Sequence, residues 1–440
     1  MHDVRVSHKA WKEDSDRLPV TSSVPIKKFA PLFFPSIFFF LLVFIFAGCP
    51  FLAEWSLSES FRYLPYILFG TGALLGGVFT QSRISFLCLL LALVTFFADR
   101  AFFINNDVAQ GRTVALLSVI YVPALAALFH RLNERGFWTS HAGFRGLMVL
   151  SAVLVVFVLP LIPELNDAVF HAESTLFRPL SYYIRIPLIG ILVFMISLPF
   201  LVIRKQHESP LLGQLMALAI MFVFGALNQP VADEHSMYGE AMLMLFMSGS
   251  AVTLIWAVLE SSWRSANIDE LTELPGRRVL KHHLATLGSS YSLAMLDIDH
   301  FKKINDRYGH DTGDQVLRFI AMHLNRNLAG RAYRYGGEEF VIVCEHDFDQ
   351  TVEALELLRR AISGRKFWIR SKTRPKKKPE ELLSREKHEH GDKESITVTV
   401  SIGVAKKSGK YSSTQEVLEA ADSALYKAKK EGRDRVKMAG

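Results

Sequence analysis

Four carboxylates come in two pairs in this chain. Asp297 and Asp299 close the apolar run Leu293–Leu296, which reads as a buried strand. Glu338 and Glu339 follow Gly336 and Gly337 inside RYGGEEF, residues 334–340, with strand-like AYRY and FVIVCE on either side. Adjacent acids repel, and adjacent glycines cost backbone entropy on folding. If a hairpin turns at the glycines and lies beside the Asp-x-Asp strand, three or four carboxylates converge. A hard divalent cation relieves such a cluster, and Mg²⁺ retains waters and takes substrate phosphates. Two cations in one site activate an attacking hydroxyl and clamp a triphosphate. Gly336 and Gly337 leave room for a nucleotide against the backbone, while Lys302, Lys429 and Arg433 offset phosphate charge. The chemistry is phosphoryl or nucleotidyl transfer. A lone GGEE would read more simply as an acidic turn; the Asp-x-Asp strand end tips the balance toward a site.

Elements must hold these groups in place. GHDTGDQVLRFIAMHLNRNL (309–328) has apolar residues at helical spacing, and DFDQTVEALELLRRAI (347–362) reads as a second helix. SITVTVSIGVA (395–405) reads as one strand, and TQEVLEAADSALYKAKKEG (414–432) as an amphipathic helix ended by Gly432. The order β-α-β-β-α-β-α predicts an α+β domain with one antiparallel hairpin. Upstream, ESSWRSANIDELTELP (260–275) predicts a helical junction that reaches Leu274 and is stopped by Pro275-Gly276.

Charge divides the 440 residues unevenly. Lys+Arg and Asp+Glu both number 17 up to residue 263, so the whole net charge of +7 falls in 264–440, which holds 33 and 26. Residues 364–410 carry 14 Lys+Arg against 6 Asp+Glu. Within them, 364–394 is charged and poor in apolar residues, the pattern of a mobile surface insertion. Anionic headgroups or nucleic acid would suit such a run, but a solvated loop is the simpler reading, and no nucleic-acid partner is expected.

Residues 30–260 are of another kind. Crossing a bilayer takes roughly 20 apolar residues, and the segments 31–53, 63–81, 84–104, 113–130, 144–162, 185–203, 211–228 and 238–259 are candidates for eight spans. With a cytoplasmic N-terminal tail (1–29), the inside segments hold 12 Lys+Arg, including Arg83, Arg131, Arg145 and Lys205, and the outside loops hold Arg62, Arg100, Arg112, Arg178 and Arg185. GTGALLGG (70–77) superficially resembles a nucleotide loop, but it lies within a span, where Gly72 and Gly76 make a small-xxx-small packing pair. Asp99, Arg100 and His171 read as interfacial or loop residues before they read as sensor groups. Cys49, Cys88 and Cys344 have no metal or disulfide spacing and read as small buried hydrophobes.

The soluble half resembles the GGDEF-domain diguanylate cyclases, here with GGEEF at 336–340. The likeness runs over Asn267–Lys437 through DELTELPGRR (269–278), LDIDHFKKINDRYGHDTGDQVL (296–317), RYGGEEF, VTVSIGVA (398–405) and AADSALYKAKKEGRDRV (420–436). It implies a nucleotidyl-cyclase, palm-like fold that condenses two GTP into cyclic di-GMP and two pyrophosphates. It implies Mg²⁺, with Mn²⁺ as the substitute, held by Asp297, the Ile298 carbonyl and Glu338. Glu338 also accepts the proton of the attacking hydroxyl, and Glu339 supports the metal site. Asn305 and Asp314 read guanine, His310 lies near the nucleotide, Gly336 and Gly337 line it, and Lys302, Lys429 and Arg433 meet the phosphates. An Asp at 314 favours GTP. The family's Arg-x-x-Asp product-inhibition motif is replaced by Asn327 and Gly330, and its usual LxNR reads LPGR at 274–277.

The resulting expectation is an all-α polytopic membrane domain (30–260), a helical linker (261–275) and a cyclase domain (267–440) carrying the 364–394 insertion. The enzyme would act as a homodimer in the bacterial inner membrane, with both its N-terminus and cyclase domain cytoplasmic and with cyclic di-GMP receptors downstream. A degenerate nucleotide receptor and a cyclase-regulated transporter are the rivals. The first predicts losses among Asp297, Lys302, Asn305, Asp314 and Glu338, and all five are present.

Overall fold

The computed structural model describes residues 62–105, 107–134, 136–137, 139–158, 162, 164, 188–203, 211–227, 236–327, 329–369 and 394–440. The described chain divides between two compact units that meet in sequence at Arg264 and Ser265.

The unit beginning at Ser265 is built on one sheet. Its strands are β1 (Ser292–Ile298), β2 (Arg331–Gly336), β3 (Glu339–Cys344), β6 (Val400–Lys406) and β7 (Val436–Met438), in the spatial order β2-β3-β1-β6-β7. The short strands β4 (Lys366–Trp368) and β5 (Ser395–Thr397) pair as a separate ribbon. β1 is central, antiparallel to β3 and β6, and buried at all seven positions. Its residues alternate between two cores. Ala294, Leu296 and Ile298 join the core of Val316, Ile320, Leu355 and Ile362, whereas Leu293 and Met295 join that of Leu280, Val417, Ala421 and Leu425. Both faces being covered, β1 reads as a continuous apolar run although it is antiparallel.

The helices of this unit are α8 (Arg277–Ala285), α9 (Phe301–Tyr308), α10 (His310–Leu324), α11 (Phe348–Ser363) and α12 (Thr414–Lys430). α12 lies very close to the sheet at Gly403, where a Cβ would stand 2.1 Å from Leu425 N and 2.2 Å from Ala421 O. Lys429 is one turn beyond Leu425, so this close approach fixes the height of its side chain above β1.

Three expectations need correction. The junction is helical to Asn267, not to Leu274. Beyond it Asp269 accepts hydrogen bonds from Thr272 N (2.8 Å) and Thr272 Oγ1 (2.7 Å), which stabilises a turn in place of the helix. Leu274 precedes proline, which disfavours its helical conformation. Second, 395–405 is two strands, because Thr399 is diverted: its carbonyl accepts from Asp299 N (3.0 Å) and its hydroxyl donates to Asp299 Oδ2 (2.8 Å). Third, the 364–394 insertion opens with the paired strand β4 instead of a loop; residues 370–393 lie outside the described residues.

In the other unit the helices are α1 (Leu64–Val78), α2 (Ser82–Asp99, continued by a π-helical turn, Arg100–Ile104), α3 (Val108–Arg131), α4 (Ser140–Val158), α5 (Leu188–Val202), α6 (Leu212–Leu227) and α7 (Ser236–Asn267), the last passing the unit boundary. Among the described residues, Ser82–Ile104, Gln110–Arg131 and Gly239–Asn267 are long and apolar enough to cross a membrane. The 84–104 segment is one of the three, although Asp99 and Arg100 lie within it. Helices α1, α4, α5 and α6 are apolar and shorter; the 31–53 segment and His171 lie outside the described residues. Gly72 and Gly76 are packing positions: a Cβ would come within 2.9 Å of Cys88 Sγ and 2.3 Å of Ser85 Oγ, respectively.

Candidate active site

The β2–β3 hairpin brings Glu338 to β1. Glu339 is the strand partner of Asp297, and the register slips between Arg334 and Gly336 to make the turn. Gly337 has φ +44°, a left-handed conformation that glycine adopts without strain, and no atom lies within 4 Å of a Cβ placed on Gly336 or Gly337. The turn is therefore bare on its outer side.

Asp297 lies on the α12 side of the sheet. Its side chain is 7% exposed and bonds Lys429 Nζ at 2.9 Å. Burial pushes its carboxyl up; Lys429 and Arg433 pull back without cancelling the effect. Burial also raises Glu338, and the negative charge of Asp297 raises it further. A buried Asp297 and a Glu338 whose ionised form it disfavours fit a hard divalent cation, whose charge removes the conflict. Among the described residues no group of three or more His, Cys, Asp or Glu gathers to hold a metal. Mg²⁺-type sites, however, use one or two carboxylates and leave the remaining positions to water and phosphate. Ile298, the third expected ligand, ends β1 fully buried, so only its backbone carbonyl is suited to the role.

Asp299 does not join the cluster as a further ligand. It is buried and accepts from Thr399 Oγ1 (2.8 Å), Ser401 Oγ (2.7 Å) and the Asp434 amide (3.1 Å). Its role is to tie the segment after α12 to the end of β1. That segment carries Arg433, whose φ of +65° is rare for a residue with a side chain and whose amide donates to Ala428 O at 3.0 Å.

Past β1, α9 and α10 meet at Gly309, which has φ +84°. Lys302 is exposed near the start of α9. Asn305 faces Gly313, where a Cβ would stand 1.9 Å from Asn305 Oδ1; that oxygen is buried and has no hydrogen-bond partner among the described residues. His310 and Asp314 are exposed and one turn apart on α10, hence on one face. Asp297, Glu338 and Lys429 thus meet beside a bare turn, a set that can hold a divalent cation and a phosphate group.

Sequence reasoning assigned no role to Arg334 or Asp269. Arg334 donates to Gly337 O through its Nε (3.3 Å) and one terminal nitrogen (2.9 Å), and through the other to Asp269 Oδ1 (2.7 Å). Its amide donates to Pro275 O at 2.9 Å. The turn after α7 is thereby joined to the Gly336-Gly337 turn. The signal was the Asp-x-x-Thr spacing of 269–272, which is a turn-forming pattern.

At the two positions of the missing Arg-x-x-Asp motif, Asn327 Oδ1 accepts from the amides of Ala329 (2.9 Å) and Gly330 (3.0 Å), and its Nδ2 donates to Gly330 O (3.2 Å) and Leu324 O. A side chain on Gly330 would stand 2.1 Å from Val343 O.

Residues 266–435 match the family described as "Diguanylate cyclase, GGDEF domain". The GGDEF domain of DgcB from Caulobacter crescentus, solved with its coiled coil in complex with c-di-GMP, is 35% identical; the match covers 41% of this chain and 90% of that one, with a TM-score of 0.35. Residues 266–435 thus read as a GGDEF domain within a longer chain. Two curated GGDEF relatives are the response regulator PleD of Caulobacter vibrioides, 36% identical over 188 residues, and the diguanylate cyclase DgcP of Pseudomonas aeruginosa, 36% identical over 191 residues. The matches cover 40% and 41% of this chain but only 37% of PleD and 25% of DgcP, so the chain spans well under half the length of either relative.

Proposed function

We propose that the chain is a membrane-bound diguanylate cyclase. The observation that carries this reading is the pairing of buried Asp297 with Lys429 at 2.9 Å, beside a bare glycine turn that presents Glu338 to the same carboxylate. The 3′-hydroxyl of one GTP attacks the α-phosphorus of a second; a P–O bond forms, the α–β bridging bond breaks and pyrophosphate leaves. Repetition in the other direction closes the ring, so two GTP give cyclic di-GMP and two pyrophosphates. Glu338 accepts the hydroxyl proton. Lys302, Lys429 and Arg433 balance phosphate charge, and Asn305 and Asp314 hold guanine, with His310 near the nucleotide. Asp297, the Ile298 carbonyl and Glu338 would hold Mg²⁺ or Mn²⁺, with Glu339 in support; a bound cation would lower the hydroxyl pKa and neutralise charge at the α-phosphate.

Each domain presents one half-site, so the two-fold product calls for a homodimer. The three apolar helices and the charge bias of the loops support an inner-membrane protein; with eight spans both ends would be cytoplasmic. The membrane part then regulates the dimer in response to a signal. The Asn327 side chain is bonded to its own turn and Gly330 has no room for a side chain, which supports weak or absent product inhibition through 327–330.

The full chain in lipid nanodiscs, given GTP and Mg²⁺, is expected to yield cyclic di-GMP and two equivalents of pyrophosphate. Glu338→Ala should lower the rate by about 100-fold or more. A dimeric wild-type preparation that makes no cyclic di-GMP would sink the proposal.

A further inference from the structure

Gly432, Arg433 and Asp434 follow one another in left-handed conformations, with φ of +114°, +65° and +44°. Glycine adopts such a conformation freely. An arginine and an aspartate hold it only where neighbouring contacts over-determine the backbone. The run turns the chain from α12 into β7 and sets the direction of Arg433. That residue is half-buried, and its charge is felt at Asp297, whose ionised form it favours. Whatever holds the turn therefore also holds a cation against the buried carboxylate of the candidate active site.

Contacts from two other elements hold it. The Asp434 amide donates to Asp299 Oδ2 at 3.1 Å, just past the end of β1. The Asp434 carboxylate accepts from Arg359 Nη1 at 2.7 Å, and Arg359 belongs to α11. The first contact uses only backbone at 434, so any residue except proline could make it. The second needs a carboxylate at 434 and a long cation on α11.

Arg359 is fixed before it meets Asp434. Its Nη2 and Nε donate to Glu356 Oε1 (2.6 Å) and Oε2 (3.0 Å), a bidentate pair within one turn of the same helix. With one edge of the planar guanidinium held this way, the remaining donor has a set place and direction. A lysine could neutralise one carboxylate but could not span both with that geometry. The Arg359 side chain is 13% exposed, so its pair with Asp434 is screened less than a surface pair. Among the described residues its ion pairs are with Glu356 and Asp434, and neither is a candidate active-site residue.

We propose that Arg359 is a positioning residue: acting through Asp434, it holds the Gly432–Asp434 turn so that Arg433 faces the triphosphate of bound GTP. The assignment rests on the cyclase reading. It adds α11, which contributes no group to the site, to the elements that set substrate affinity.

Affinity can be read without turnover. The full chain in nanodiscs with Mg²⁺ is titrated calorimetrically with a non-hydrolysable GTP analogue. Arg359→Met keeps the apolar stem and removes the fork, and it should weaken binding about tenfold. Arg433→Met should weaken binding at least as much, and adding Arg359→Met to it should cost less than about twofold more. A merely structural role would instead make the two losses multiply. Asp434→Asn keeps the shape and the amide contact with Asp299, so it provides a milder variant should Arg359→Met fold poorly. It should reproduce the loss and add little to that of Arg359→Met. Unchanged affinity in Asp434→Asn, or multiplied losses with Arg433→Met, overturns the assignment. Wild type that does not bind the analogue sinks the cyclase reading itself, whereas wild-type binding matched by the variants sinks only the role of Arg359.

Discussion

Replacing Asp269 by Asn tests whether the turn after α7 sets the geometry of the catalytic turn. Asparagine keeps an oxygen for the Thr272 amide and hydroxyl but removes the charge that holds Arg334. The Asp269 and Arg334 side chains are 26% and 15% exposed, and their contact is 2.7 Å. Exposed ion pairs contribute about 0.2–1 kcal/mol, and hydrogen bonds to charged groups about 1.5–3 kcal/mol. This half-buried pair belongs between them, at about 1–2 kcal/mol. If all of it bears on the position of Gly337, turnover falls roughly 5- to 30-fold, since about 1.4 kcal/mol is tenfold.

The assay is cyclic di-GMP formation by the full chain for wild type, Asp269→Asn, Arg334→Gln and the double variant. The double variant should be little worse than either single one, with a coupling of about 1–2 kcal/mol. Burial pushes the Asp269 carboxyl up, but hydrogen bonds from Thr272 and Arg334 outweigh it and hold the group below its ordinary 3.8. A lowered carboxylate contributes stability that is complete above the unfolded value and lost as pH falls through the folded one. The loss in Asp269→Asn should therefore be constant from pH 6 to 8. Turnover within twofold of wild type, or additive effects in the double variant, would refute the coupling.

Two further outcomes follow from the site and its support. Gly313→Ala places a Cβ 1.9 Å from Asn305 Oδ1, so Asn305 must move; KM for GTP should rise about tenfold with a smaller change in kcat, and an unchanged KM removes Asn305 from guanine recognition. His323 is buried, its Nδ1 lies 2.9 Å from Phe319 O and its Nε2 has no partner among the described residues; burial holds it below its ordinary 6.5. A lowered histidine binds fewer protons in the folded state, so stability is full above the unfolded value and declines as pH falls below about 6.5. His323→Phe should flatten the pH dependence of the melting temperature between pH 7.5 and 5.5, and an equally steep dependence in that variant would assign the effect to other groups.

Local patterns carried most of the soluble fold. The hairpin around RYGGEEF, the strand at Leu293–Leu296 and the amphipathic helix α12 are written in neighbouring residues, because burial period and glycine placement are short-range properties. Asp299 shows where such reading stops. One residue separates it from Asp297, and the two acids flank Ile298, the last residue of β1. Ser401, Thr399 and the Asp434 amide, all more than 90 residues away, claim Asp299, whereas Lys429 claims Asp297. The same long-range contact splits SITVTVSIGVA into two strands. The helical junction failed for a different reason: α7 has good helical composition, but the Asp269 side chain competes for the next turn's amides, and Pro275 lies ahead.

The apolar half gives the proposed regulation a mechanical starting point. Arg62 bonds Asp99 at 2.9 Å and Glu240 at 3.2 Å, so Asp99 belongs to an ion-pair set linking α2 to α7. Near the other end of the same helix, Gln81 Nε2 donates to Ser262 Oγ at 3.1 Å. Between them a Cβ on Gly72 would stand 3.4 Å from Ile255 Cγ1. The α1–α2 hairpin thus meets α7 at three levels. A helix rises about 1.5 Å per residue, so Glu240 and Ser262 are roughly 33 Å apart along one continuous element. Any ligand or charge change that shifts the hairpin along α7 must break these contacts together or move α7 with it. Arg62, Asp99 and Glu240 therefore act on α7 as one linkage, and the proposed regulation is tested on that unit rather than on Asp99 alone.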